Sequence, residues 1–328
     1  MSKNINVYIA SSPKDGGIFR YSLDSDTGIL TFCEKFDIQS PMYMEITDNK
    51  MYIVGDEAKA SYAAYCDVNC DGSLSNLSEF MSTEGRAGCH ITVADGNIYA
   101  ANYSSGSLIK IYKDGTSKLV KHEGTGPNTK RQEMPHVHHV VFTPDKKYLC
   151  ATDLGIDAIV IYDLDLNYVG QADIPGGNGP RHIVFSPCGK FVYCVNELGD
   201  TVSTLTYADG KMTTCNTYSI VPEGFNESGT AAAIRISNDG KYVYATNRKH
   251  GSIACCKVNG ADLEVIDIVS CGGAWPRDFN LTPDNKFIFC TNEQGNTVTS
   301  FKRDAETGKI EQFDQTLEIP APLCVIFG

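Results

Sequence analysis

Short apolar runs along this chain alternate with polar turns, and one two-strand unit keeps returning. FTPDKKYLCATD (142–153), FSPCGKFVYCVNE (185–197), ISNDGKYVYATNR (236–248) and LTPDNKFIFCTNE (281–293) share the pattern. Each has the end of an apolar strand, a tight turn, a second strand rich in aromatic and β-branched residues, and a polar exit. Pro-Asp, Asp-Gly or Cys-Gly at the turn suits a short hairpin. ITVADGNIYAANY (91–103) and EITDNKMYIVGDE (45–57) are the same unit, and NVYIASS (6–12) is its second half. The polar exit falls at Ser11, Asp56, Asn102, Asp153, Asn196, Asn247 and Asn292, in steps of 43 to 51 residues. Seven units of that size each leave room for four short strands. Period-2 alternation and the scarcity of helical periodicity exclude a helical repeat.

The spacing therefore predicts an all-β, seven-bladed β-propeller of four-stranded antiparallel blades, built as one domain over residues 1–328. The N-terminus starts with a second strand and lacks a first. The C-terminal PAPLCVIFG resembles the first strands SPMYMEIT and GPRHIVFS. The last residues are thus expected to complete the N-terminal blade and close the ring, removing an open edge.

In such a ring, the start of each innermost strand and the end of the second lie on one face. Distant segments become neighbours around one channel mouth. His90, His136, His138, His139, Arg181, His182, Glu197, Arg248, His250, Arg277 and Glu293 all fall at those positions. Asn102, Asn247 and Asn292 read as turn caps. His90, His139 and His182 share one repeat position and are expected to bond neighbouring blades. His136 and His138 alternate on one side, a pair that could hold a metal, but no acidic partner completes a site and none is expected. Arg181 and Arg277 suit a carboxylate or phosphate ligand, or ion pairs with Glu197 and Glu293.

Composition narrows the partners. Charged residues are 21% of the chain and the formal net charge is −12, which disfavours nucleic acid and anionic membranes. No apolar run is long enough to span a bilayer, and the N-terminus shows no secretory signal. Thirteen cysteines, an odd number partly inside strand runs, read as reduced thiols in a cytoplasmic protein. Cys66 and Cys70 read as part of a plain loop. No Rossmann fingerprint or P-loop stands in a strand-to-helix context, so no organic cofactor is expected. The oligomeric state is not legible.

The sequence resembles the seven-bladed propeller lactonases of the 6-phosphogluconolactonase type, a group that also includes fungal carboxy-muconate cycloisomerases. The resemblance is carried by H-x-G-x-G-P (His122 to Pro127), RQxxPHxH (Arg131 to His138), DLGxD (Asp153 to Asp157), GPRHxxFSPxG (Gly179 to Gly189) with Asn196-Glu197, IRISxDGKYVYxTNR (Ile234 to Arg248) and PRxF (Pro276 to Phe279). It implies hydrolysis of an anionic sugar lactone, with 6-phosphogluconolactone as the leading substrate. It also implies catalytic roles for His138, Arg181 and Glu197, with His136, His182, Arg248 and Arg277 binding substrate. A lactonising cycloisomerase of a muconate-like dicarboxylate, or a propeller that only binds, would use the same rim. The chain departs from the family at Ala233, where an acidic residue is common.

Overall fold

The computed structural model describes residues 4–57, 60–227 and 229–328. Its strands form seven antiparallel sheets, and each pairs in simple sequence order except the one that closes the ring. The innermost strands are Pro41–Thr47, Gly88–Ala94, Val137–Phe142, Pro180–Phe185, Ala231–Ile236, Pro276–Leu281 and Pro322–Phe327. The last of these pairs antiparallel with Asn4–Ser11, matching Val7 with Phe327 and Ala10 with Cys324. Two backbone bonds between Asn6 and Gly328, 3.2 and 3.0 Å, seal the join. The ring is thus a seven-bladed propeller closed by its C-terminal strand, as the half-unit at the N-terminus requires.

One blade departs from four even strands. In the sheet that begins at Pro41–Thr47, the outermost strand is broken into Leu74–Ser75 and Met81–Ser82. Both pieces pair with Ala60–Val68. Cys66 lies within that paired strand and is fully buried, so the loop reading holds only for the exposed Cys70. All thirteen cysteines are free thiols.

The core lies between blades, where facing sheets interdigitate. Tyr8, Tyr99, Tyr193 and Tyr244 are fully buried at corresponding places in the second strands. A buried phenol needs a hydrogen-bond partner. Each hydroxyl donates to a backbone carbonyl in the outer turn of the next blade: Gly72 at 2.6 Å, Leu164 at 2.8 Å, Gly260 at 2.7 Å and Gly308 at 2.9 Å. Apolar packing and a repeated polar latch therefore hold successive blades together. Among the described residues no helix is long and apolar enough to cross a membrane.

Candidate active site

The start of every innermost strand carries the same local device. The residue before the strand is left-handed in five blades: Ser40, Ala87, Gly179, Trp275 and Ala321. Only one of them is glycine. At Gly179 a Cβ would sit 2.6 Å from Leu198, and Asp157 accepts its backbone N–H at 2.7 Å. One or two residues later the register slips. The unpaired residue is Met42, Cys89, His138, Arg181, Arg277 or Leu323, and in the strand Ala231–Ile236 the slip spans Ala232 and Ala233. A β-bulge re-aims its side chain. Here the bulges of four blades turn a side chain to the channel mouth.

A cavity of about 220 Å³ opens there. Its walls include the bulged residues Met42, Cys89, His138 and Arg277, together with Tyr103, Arg131, Glu197 and Arg248. Glu197 is the hub. One oxygen accepts from Arg131 Nη2 at 2.6 Å, and the other lies 2.8 Å from Arg248 Nη2 and 3.1 Å from Arg181 Nε. The Arg181 contact has ion-pair distance without hydrogen-bond alignment: among the described residues Nε has no hydrogen-bond partner. Arg181 is anchored instead through Nη1, which donates to Ala232 O at 2.7 Å. Arg248 lies over the ring of Trp275, 5.4 Å from its centroid. Arg277 pairs with Glu293 at 3.1 Å.

Arg131 arrives by a different route. It sits in the 122–136 loop, which a buried network pins over the mouth. His122 bonds Asp153 through Nδ1 at 2.7 Å and Tyr162 through Nε2 at 2.8 Å. Gln132 donates to Leu154 O at 2.8 Å and accepts from Asn128 N at 3.0 Å. A Cβ at Gly126 would meet the Gln132 side chain at 2.5 Å. The H-x-G-x-G-P and RQ motifs are thus scaffolding for one guanidinium.

The surroundings fix the charges. Burial pulls the Glu197 pKa up, but the guanidinium groups of Arg248, Arg181 and Arg131 together hold it well below the usual carboxylate range. His138 is buried, and burial and then Arg181 keep its pKa well below that of free imidazole. Burial and the neighbouring Arg248 push Arg181 down to about 9, still charged at neutral pH. Burial raises the Cys89 thiol to about 12, so it is a neutral wall. The mouth therefore presents four guanidinium groups against two carboxylates, beside one neutral imidazole. Positive charge in excess at a small mouth favours an anionic ligand, on a chain whose overall charge is negative.

The family model for lactonases of the seven-bladed β-propeller type matches residues 6–327. The chain belongs to that family. An uncharacterized protein of Staphylococcus saprophyticus is 35% identical to it, over 96% of each chain. A candidate 6-phosphogluconolactonase of Bacteroides fragilis has a solved structure with a TM-score of 0.91 and 29% identity, covering 99% of this chain and 98% of its own. The periplasmic gluconolactonase of Pseudomonas aeruginosa superposes with a TM-score of 0.91 over 99% of both chains. At 23% identity that match shows the common fold alone.

Within this lactonase-family chain the predicted residues divide by depth. His138, Glu197, Arg248 and Arg277 line the cavity, and Arg181 touches it through Glu197. Of the two alternatives for Arg181 and Arg277, the ion pairs with Glu197 and Glu293 are present, at 3.1 Å each. His182 lies one step further down the channel, its ring 5.2 Å from that of His138. His136 is outside the cavity: its ring stacks on Tyr103 at 4.5 Å and its Nδ1 is bound to Tyr103 O at 3.1 Å. The bulge at His138 breaks the simple alternation with His136, and Tyr103 packs against both rings. Among the described residues no group of three His, Cys, Asp or Glu could hold a metal ion. His90, His139 and His182 meet across adjacent blades by ring contact, 4.0 and 4.8 Å, rather than by the hydrogen bonds expected of them. Asn247 caps its turn by accepting from His250 N at 3.0 Å, but the buried Asn102 and Asn292 are not turn caps: Asn102 donates to Thr83 O at 3.0 Å and Asn292 to the Thr299 hydroxyl at 3.1 Å, tying segments together instead. His250 is turned to Ser252 at 2.8 Å. Ala233 is fully buried in an apolar cluster with Tyr244, Ile253 and Phe279.

Sequence reasoning missed Arg131, Tyr103, Cys89 and Met42 as wall residues. Arg131 and Tyr103 stood inside segments already singled out. Nothing in the period marked Met42 and Cys89, because their repeat position holds apolar residues in some blades and ionic ones in others.

Proposed function

We propose that the cavity hydrolyses a lactone bearing a second anionic group, with 6-phosphogluconolactone as the leading substrate. The observation that carries this reading is one carboxylate, Glu197, held by three arginines beside the neutral ring of His138. Ester hydrolysis needs a proton acceptor for the attacking water and a positive group where the oxyanion develops. Every oxygen of Glu197 is engaged by a guanidinium, so it is a poor proton acceptor and serves to fix Arg181 and Arg248. His138 is then the base. Its ring lines the cavity, and its buried Nδ1 makes no hydrogen bond among the described residues that would tie up the ring.

Water attacks the lactone carbonyl carbon as His138 takes its proton. The carbonyl oxygen becomes negative and is stabilised by Arg248 in the wall, with the Arg181 charge acting from behind Glu197. The ring C–O bond breaks, and the proton on His138 passes to the departing ring oxygen. The carboxylic acid formed then gives its remaining proton to solvent, leaving carboxylate and hydroxyl as the products. Arg277 and Arg131, whose side chains are 21% and 40% exposed, are placed to receive the phosphate.

The test is proton release from freshly made 6-phosphogluconolactone, corrected for spontaneous opening, with wild type and Arg181→Ala side by side. Turnover should exceed background clearly and fall at least about 100-fold in the variant, the scale of losing one oxyanion donor. Wild-type release equal to background would remove the hydrolase reading. Turnover kept in the variant would remove Arg181 from the mechanism.

A further inference from the structure

The inner strands run from one face of the ring to the other. Their later residues therefore surround a second mouth, remote from the candidate active site. A wider cavity of about 660 Å³ opens there. Its collar is apolar and includes Ile46, Phe142, Phe185 and Ile236. Its floor is polar: Tyr43, His90, His139 and Arg235. Arg235 donates to Asp278 at 2.8 Å and to the Tyr43 hydroxyl at 3.2 Å. Glu45, on the wall, is turned to the backbone N–H of Val93 at 3.2 Å.

Two atoms on that floor are unexplained. His90 is 5% exposed and His139 7%, and Nδ1 of each is buried without a hydrogen-bond partner among the described residues. Burial keeps both rings neutral at neutral pH, His139 at about 3. Buried polar groups are satisfied in nearly all native structures, so an orphan needs a ligand or water. Two adjacent orphans, ring centroids 4.0 Å apart, sit beside a guanidinium at the base of an apolar collar.

We propose that this far mouth is a second binding site, for a small carboxylate with an apolar body. The head would accept N–H bonds from His90 and His139, with the Arg235 guanidinium favouring negative charge and opposing a cation. The apolar body would fill the collar, where each methylene removed from water adds binding. The His182 ring touches both sides: it lies 4.8 Å from that of His139 on this floor and 5.2 Å from that of His138 in the candidate active site.

The probe is hexanoate, followed through the imidazole nitrogen resonances of the full chain labelled at histidine. Saturable shifts at His90 and His139 are expected, with a Kd on the order of 1 mM for a fragment of this size. His139→Phe should weaken that binding at least about tenfold, the loss of a hydrogen bond to a charged group. Arg277→Ala, at the other mouth, should leave it unchanged. If His139→Phe does not fold, Ile236→Trp fills the collar from its open side and should abolish binding. The proposal is overturned if the two rings show no saturable response, meaning channel water alone satisfies them. It is overturned equally by binding that follows Arg277, or by hexan-1-ol binding as tightly as hexanoate.

Discussion

Replacing Glu197 by Gln keeps the volume of the side chain and removes only its charge. The structure says what that charge balances. Arg181 and Arg248 have side chains 3% and 9% exposed, whereas Arg131 is 40% exposed. Leaving buried guanidinium groups unpaired costs about 3–5 kcal/mol. The exposed Arg131 adds at most about 1 kcal/mol. With roughly 2 °C per kcal/mol for a chain of this length, the melting temperature should fall by about 6–10 °C. The loss should also depend on pH. The native pKa of Glu197 lies below the unfolded value near ~4.3, so the native state binds fewer protons in acid. The stability it supplies is complete above that unfolded value and is lost as pH falls toward the native one. Calorimetry of wild type and Glu197→Gln should show a constant gap from about pH 6 to 8 that narrows below about pH 4. Added phosphate should raise the melting point of the variant more than that of wild type, because the freed arginines gain an anion. A melting point within a degree of wild type, or a gap that ignores acid, would refute the account of Glu197 as the hub.

Arg277→Ala removes a partly exposed arginine whose ion pair among the described residues is with Glu293, so stability should change by less than about 1 kcal/mol. Its KM for a phosphorylated lactone should rise about 10- to 100-fold with little change for an unphosphorylated one, the scale of a lost charge-assisted bond. Equal effects on both substrates would take Arg277 away from the phosphate. Deleting residues 321–328 strips the inner strand Pro322–Phe327 from its blade and reopens the ring, so the cooperative melt should disappear; an unchanged melt would contradict closure by that strand. Tyr193→Phe breaks one latch and strands the Gly260 carbonyl, at a cost of about 1–3 kcal/mol in urea unfolding. Asp153→Ala removes the acceptor of His122, His136 N and Gly155 N and should loosen the 122–136 loop, read as faster proteolysis there and a raised KM. Intact resistance would show that the loop is held by other means.

What could be read from the chain alone followed from periodicity. Strand alternation, turn residues and a polar exit every 43 to 51 residues set the number of blades. The missing first strand at one end and the spare one at the other set the closure. Antiparallel connectivity then placed His138, Arg181, Glu197, Arg248 and Arg277 on one rim, because the topology alone decides which strand ends share a face.

Depth and direction along that rim were decided in three dimensions. A period-2 rule assigns faces only while the register holds, and every innermost strand slips by a residue or two where the site begins. That slip turns Met42, Cys89, His138 and Arg277 to the cavity and leaves His182 beneath and His136 behind Tyr103. The left-handed residues that precede the slip are mostly not glycine, so composition does not betray them. Arg131 comes from a loop, and loop position follows from anchors such as Asp153 and Gln132 rather than from any repeat. Sequence order fixes which residues can meet at a ring's rim; their distances arise only when packing and buried polar bonds choose one arrangement among those the pattern allows.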